Sequence, residues 1–285
     1  MPDKSSRQWR IIDILKWGSD YFAKKGIDSP RMNTELILTH ILEISRFDLY
    51  RYFEKPLNNG ELAKVKECVK RRINREPIQY ILGHSYFLGR KFLVNNSTLI
   101  PRPESELLVT LPTQFIKKNN NSLKILDIGT GCGCIAISLA INYPNSIIWA
   151  IDNNEKSLEL AKENSKIYDI ENIIFENKDI LNYLPSQSDF DLIVSNPPYI
   201  SKEEYLRLEP ELYFEPKNAL TDEGDGLLFY RRYSEIFPIL LVPEGRFFIE
   251  IGYGAVENIV SLFRKNNYMV KISKDFNNIP RVIYN

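Results

Sequence analysis

Residues Asp191-Leu-Ile-Val-Ser-Asn-Pro-Pro-Tyr199 read as a buried strand that delivers polar groups to its own carboxyl end. Leu192, Ile193 and Val194 form a short apolar run bounded by turn formers, the pattern of a central strand in a parallel sheet. The two prolines that follow lack backbone N–H donors and stiffen the chain. The Asn196 side chain and the Pro197 carbonyl then offer two acceptors at a strand end, where open α/β sheets bind ligands. Tyr199 adds a flat aromatic face. Such a set suits a planar group carrying an NH2, with one acceptor for each hydrogen and a ring against the plane. A bare Asn-Pro reads first as a turn that closes a strand. Pro-Pro-Tyr directly after an apolar strand favours a site.

Outward from this strand the chain alternates strand and helix. Apolar strands are expected at 124–128, 147–151, 173–175 and 247–251, with helices at 135–141, 155–167, 226–239 and 255–266. Stretches 268–273 and 281–284 complete the run. This βαβ alternation means an α/β fold, a twisted and mostly parallel sheet covered by helices on both faces. Upstream the pattern differs. Ile11, Ile12, Leu15 and Phe22 give a helical spacing over 5–26, with Gly26 as a stop. Ser29-Pro30 reads as an N-cap and first-turn proline for a helix carrying Leu36, Ile37, His40 and Ile41. Ser45 with Asp48 caps a third helix, and Asn59 opens a fourth through Leu62, Val65, Val69 and Ile73. Glu76-Pro77 ends it. Four helices without a strand argue for a small all-α domain over 1–78, either a recognition unit or a structural cap. Residues 79–98 then hold a β-hairpin turning at Gly89-Arg90, a linker to the domain 99–285. That domain opens with a helix from Pro103 to about Lys117.

Charge and composition exclude several classes. Lys plus Arg (37) equals Asp plus Glu (37), so no global positive field recruits nucleic acid, and none is expected as a direct partner. The densest basic cluster, Lys70, Arg71, Arg72 and Arg75, reads as a solvated helix face. Cys68, Cys132 and Cys134 make neither a disulfide framework nor a four-ligand metal site. With only His40 and His84, His-based metal or triad chemistry has little material, and no metal is expected; His40 reads as a packed side chain. No apolar run reaches the ~18 residues of a membrane span. The first residues also lack an apolar signal core, so no membrane partner and a cytoplasmic location are expected.

The strand at 124–128 ends in Asp127-Ile-Gly129-Thr130-Gly131-Cys132-Gly133, whose glycines let the backbone pass close to a ligand. Asp152 closes the next strand within the ~20-residue range of a ribose-hydroxyl acceptor. Asp179, followed by Ile180, comes after the third strand, where it could accept from an adenine amino group. A glycine loop alone is often a tight turn; three such features at successive strand ends are stronger. No P-loop Lys-Ser/Thr is present. S-adenosylmethionine, an adenosine ligand without phosphates, fits better than NAD, because Asn196-Pro-Pro-Tyr199 shares the same sheet edge.

Asp-x-Gly-x-Gly-x-Gly together with Asn-Pro-Pro-Tyr resembles the class I methyltransferases that act on amino or amide nitrogens. Glu76-Pro-Ile-Gln-Tyr-Ile-Leu-Gly83, Tyr86-Phe-Leu-Gly89, Leu99-Ile-Pro-Arg-Pro-Glu104, Phe214-Glu-Pro216 with Ala219-Leu220, and Asp225-Gly-Leu227 are similar to stretches of the HemK-type glutamine methyltransferases of peptide-chain release factors. The resemblance runs from about residue 10 to the end. Ser105 stands where that family usually has Thr, and Ala255 where Gln is common; both lie outside the residues given chemical roles here.

The resemblance implies a Rossmann-like, mostly parallel seven-stranded sheet, S-adenosylmethionine as cofactor with S-adenosylhomocysteine as product, and class 1 release factors as partners. It implies methyl transfer to the glutamine of a Gly-Gly-Gln motif. Asn196, Pro197 and Tyr199 are then the expected catalytic residues, with Pro198 and Glu215 shaping the substrate pocket. Asp127, Gly129, Thr130, Gly131, Cys132, Gly133, Asp152, Asp179, Ile180 and Asn196 are expected at the cofactor. An adenine-N6 nucleic-acid methyltransferase and a non-catalytic release-factor adapter are the alternatives.

Overall fold

The computed structural model describes residues 8–116, 122–185 and 187–285. The chain forms two compact units, one comprising the chain up to Gly83 together with Pro210–Phe214, the other His84–Glu209 with Glu215–Asn285.

The first unit holds α1 (Ile11–Lys24), α2 (Pro30–Leu42), α3 (Arg46–Arg51), α4 (Asn59–Ile73) and α5 (Ile78–Leu82). Ile11, Phe22, Ile37, Leu38 and Leu49 are its buried centre, the face that apolar residues three and four apart must cover. Several local expectations shift. Helix α1 begins at Ile11 because Arg10 is extended and pairs with Pro56; residues 5–7 lie outside the described residues. Asn58, not Asn59, caps α4: its Oδ1 accepts from the Glu61 amide at 2.8 Å while Glu61 accepts from the Asn58 amide at 2.7 Å. Ser29 makes no side-chain cap and sits in the left-handed region at φ 48°. Asn33 Nδ2 donates to the Asp28 and Ser29 carbonyls instead. His40, expected as a packed side chain, is exposed. The extra helix α5 crosses the boundary expected at residue 78.

The basic cluster is not a solvated face either. Arg72 is buried; it donates to Asn33 Oδ1 at 2.9 Å and to Glu211 Oε1 at 3.1 Å. Arg75 reaches the same Glu211 oxygen at 3.2 Å, and Arg71 pairs with Glu76. Of the four, Lys70 stays exposed.

The second unit begins with the hairpin β1 (His84–Phe87) and β2 (Arg90–Leu93). Its turn is Leu88-Gly89, one residue earlier than expected. Both turn residues take positive φ (48° and 73°), as a two-residue hairpin turn requires. The hairpin belongs to this unit and is not a separate linker. A seven-stranded sheet follows, from β3 (Lys124–Ile128), β4 (Ile147–Asp152), β5 (Ile173–Asn177), β6 (Phe190–Ser195), β7 (Leu241–Glu250), β8 (Lys271–Lys274) and β9 (Pro280–Tyr284). Its order is β5-β4-β3-β6-β7-β9-β8. The first five of these pair in parallel, and β9 runs antiparallel to β7 and to β8. Leu126, Ile193 and Phe247, on the three central strands, have no exposed surface.

The helices of this unit are α6 (Leu107–Thr110), α7 (Pro112–Phe115), α8 (Cys134–Asn142), α9 (Glu155–Ile167), α10 (Lys202–Tyr205), α11 (Lys217–Leu220), α12 (Leu228–Leu240) and α13 (Val256–Lys265). The single helix expected from Pro103 is a 3-10 turn, Pro103–Glu106, then α6 and α7. Pro112 has no N–H to continue the ladder, and Lys117 lies outside the described residues. After β6, the Ile200 amide donates to the Leu220 carbonyl at 3.0 Å. This contact closes the base of an excursion over 201–219, within which Pro210–Phe214 belongs to the helical unit.

Candidate active site

Parallel register places the strand ends side by side. Ile128 on β3 is opposite Ile151 on β4 and Ser195 on β6. The residues that follow each strand therefore share one edge. Gly129 and Thr130 donate to the Ile151 carbonyl at 2.9 and 3.0 Å, and the Gly131 amide donates to Asp152 Oδ2 at 2.9 Å. Gly131 sits at φ +56°, and a Cβ there would meet nothing within 4 Å, so the loop faces open space. An open cavity occupies this edge. Gly129, Thr130, Gly131 and Cys132 line it, as do Asp152, Asp179 and Ile180. Asn196, Pro197 and Pro198 line its other side.

Four expected residues do not contribute to that lining. Asp127 lies under the loop, fully buried, where Oδ2 accepts from Thr130 Oγ1 at 2.7 Å and braces the turn. Its Oδ1 completes no hydrogen bond. Burial pushes this carboxyl up to about 7, against the Thr130 hydroxyl and the nearby Ala136 amide, which favour the charge. Gly133 caps the start of α8 at φ +83°, and a Cβ on it would come within 3.0 Å of Ala161 Cβ; its role is close helix packing. Glu215 is buried and accepts from the Ile100 amide (3.0 Å) and Arg102 Nη2 (2.5 Å), so it acts through Arg102, which does line the cavity.

Tyr199 is the clearest departure. A Cβ on Gly252 would stand 2.8 Å from Tyr199 Cδ2, so Gly252 packs on the ring, and the hydroxyl donates to Glu250 Oε1 at 3.3 Å. This placement gives no support to stacking against a substrate amide. Burial, and then the charge of Glu250, push the phenol well above its ordinary range, so it stays protonated as a donor.

Two acidic residues are partly engaged already. Asp152 Oδ1 accepts from the Asn154 amide at 2.9 Å, and burial raises its pKa. Asp179 accepts from the Leu181 amide (3.0 Å) and Asn182 Nδ2 (2.8 Å), which shapes its own turn. Each keeps acceptor capacity, since a carboxylate oxygen has two lone pairs.

Sequence reasoning missed several groups. Thr98, Arg102, Phe229 and Tyr233 also line the cavity; an Arg between two prolines was the available signal. Helix α9 positions much of the site. Asn154 Nδ2 and Ser157 Oγ donate to the Ser97 carbonyl at 3.2 and 2.7 Å. Asn164, fully buried, holds both Leu93 backbone groups and donates to the Cys132 carbonyl at 2.8 Å. Ser105, set aside in the sequence, accepts from Asn196 Nδ2 at 3.0 Å and donates to Glu250 Oε2 at 2.6 Å. It belongs to the site after all.

The lining fits an adenosine-bearing cofactor: open space at the glycine loop, a carboxylate at the end of β4 and another after β5, and the apolar Ile180 and Phe229 in the same cavity. Among the described residues no cluster of His, Cys, Asp or Glu could hold a metal ion, and no helix is long and apolar enough to cross a membrane. Residues 104–242 match the methyltransferase small domain family, and residues 13–83 the PrmC N-terminal domain family. A methyltransferase from Pyrococcus furiosus has the same fold, with a TM-score of 0.51 at 18% identity over 70% of this chain and 89% of that one. Fold and site together define an S-adenosylmethionine-dependent methyltransferase. The release factor glutamine methyltransferase of Geobacter sulfurreducens is 37% identical over 277 residues, 96% of either chain. That of Bacillus subtilis is 34% identical over 280 residues, again 96% of each. The chain belongs to the release factor glutamine methyltransferase family.

Proposed function

We propose that this protein transfers a methyl group from S-adenosylmethionine to the side-chain amide nitrogen (N5) of the glutamine in the Gly-Gly-Gln motif of class 1 peptide chain release factors, in support of translation termination. The observation that carries this reading is the Asn196 amide, held by Ser105 at the cavity and followed by the donor-free Pro197-Pro198. The bound cofactor supplies an electrophilic methyl group. A carboxamide nitrogen is a poor nucleophile because its lone pair is delocalised into the carbonyl. Asn196 Oδ1 and the Pro197 carbonyl each accept one N–H of the glutamine amide, which aims the nitrogen and favours the positive charge that develops on it. Tyr199 supports this pair from the Glu250 side and does not stack on substrate. No strong base is required, since the methylated nitrogen sheds its proton to solvent. Asp152 and Asp179 hold the adenosine end. The partner is a protein, in keeping with balanced charge and with the ion pairing of Arg71, Arg72 and Arg75. A substrate that acts in translation fits a cytoplasmic location.

The test is incubation with S-adenosylmethionine and an unmethylated class 1 release factor, followed by peptide mass spectrometry. One methyl on the Gly-Gly-Gln glutamine, lost when that glutamine is replaced, is the expected result; labelled adenine in nucleic acid with an unlabelled factor refutes it. Asn196→Ala lowers kcat by about 100-fold or more and leaves cofactor affinity nearly unchanged. Equal loss of both contradicts the role given to Asn196.

A further inference from the structure

Ser105, Glu250, Asn196 and Tyr199 form one hydrogen-bonded chain drawn from the turn after Arg102, the end of β7 and the residues after β6. Ser105 and Glu250 are 3% and 2% exposed and are bonded directly at 2.6 Å. A hydroxyl has one proton to give. While Glu250 is a carboxylate it only accepts, so Ser105 spends its proton on Glu250 and meets Asn196 solely as an acceptor. The Asn196 amide must then turn its NH2 toward Ser105, which leaves Oδ1 for the substrate. A protonated Glu250 can donate to Ser105 instead. Ser105 is then free to donate to Asn196, and the amide is stable with its ends exchanged.

We propose that Glu250, acting through Ser105, is the positioning residue that decides which end of the Asn196 amide is offered to the glutamine nitrogen, and that the enzyme is competent only when Glu250 is ionised. This rests on the acceptor role given to Asn196 above. Burial holds the Glu250 carboxyl up at about 7. The Ser105 and Tyr199 hydroxyls donate to it and favour its charge; Glu104 opposes the charge and Arg281, paired with Glu104, favours it. The Tyr230 hydroxyl is committed to the Glu250 backbone carbonyl at 2.9 Å. The switch therefore falls in the neutral range.

The experiment measures kcat and KM for methyl transfer to a class 1 release factor from pH 5.5 to 8.5, with S-adenosylhomocysteine affinity measured alongside. Wild-type kcat rises about tenfold per unit below pH 7 and levels off above it. Ser105→Ala loses that limb and about 10–100-fold in kcat at pH 8, with KM and cofactor affinity nearly unchanged. Ser105→Thr, which keeps the hydroxyl, retains the limb and most of the rate. Glu250→Gln gives a flat profile. An active wild type with a flat profile refutes the proposal without any variant, as does a limb that survives Glu250→Gln and so belongs to another group such as Asp127. A wild type that methylates no glutamine at any pH refutes the function itself, and the proposal with it.

Discussion

Gly226 touches the Pro198-Tyr199 segment from outside the cavity, and replacing it with alanine is expected to damage rate and stability together. A Cβ at this position would lie 2.4 Å from the Tyr199 carbonyl oxygen and 3.2 Å from its carbon. Ordinary contact begins near 3.4 Å, so the deficit is 3.4 − 2.4 = 1.0 Å. Both neighbours are backbone atoms and cannot rotate away. The turn that carries Gly226 is itself pinned, since Asp222 accepts from the amides of Gly224, Gly226 and Leu228 at 2.8, 3.0 and 3.0 Å. Much of the displacement therefore falls on Pro198-Tyr199. The φ of +77° adds about 1–2 kcal/mol for any side chain, and overpacking about 1–3 kcal/mol. The total is about 2–5 kcal/mol. A misplacement near 1 Å at the reacting groups costs about 100-fold in rate. Gly89→Ala is the control: φ is +73° but nothing lies within 4 Å of the added Cβ, so only the backbone cost of about 1–2 kcal/mol remains. Urea unfolding and methyl-transfer kinetics on both variants decide the matter. If Gly226→Ala is no less stable than Gly89→Ala and keeps its kcat, the steric reasoning is wrong.

Three further outcomes are expected. Asn164→Ala leaves the Leu93 amide and the Cys132 carbonyl without their partner. It costs about 2–4 kcal/mol in urea unfolding, and calorimetry with S-adenosylhomocysteine shows weaker binding because the glycine loop loses a support. Arg72→Ala strips Asn33 and Glu211 of a buried partner and destabilises the chain by about 3 kcal/mol; a denaturation midpoint equal to wild type counts against the pairing. Glu250, raised from 4.5 to about 7 in the folded chain, binds its proton more tightly folded than unfolded. Its stabilising contribution is complete below pH 4.5 and is lost as pH rises through 7. A shift of about 2.5 units corresponds to about 3 kcal/mol, so wild type loses about that much more stability than Glu250→Gln between pH 4.5 and 8. Equal losses refute the sign. Activity and stability thus make opposite demands on this carboxyl.

Much of the site was readable because its parts are local. Asn196-Pro-Pro-Tyr199 and the loop 129–133 each combine a strand end with backbone chemistry peculiar to Gly or Pro, and such signals survive without knowledge of neighbours. Errors at Ser29 and Asn59 arose where several polar residues in a row could serve as a cap and only geometry chooses among them. Arg72 failed for a different cause. A basic residue in a helix reads as solvated, yet its partners Asn33 and Glu211 stand 39 and 139 residues away.

The amino-acid sequence by itself determined the alternation of strand and helix, the mostly parallel sheet, and which strand ends line the cavity, since periodicity and turn chemistry are properties of short segments. Only the tertiary structure decided that Ser105, Asn196 and Glu250 share one chain of hydrogen bonds, that the Tyr199 hydroxyl is tied to Glu250, and that Asn164 clamps the glycine loop. The physical reason is that the order β3-β6-β7 and the seating of α9 bring together groups up to 145 residues apart. A buried polar side chain declares its role only once its partners are in place.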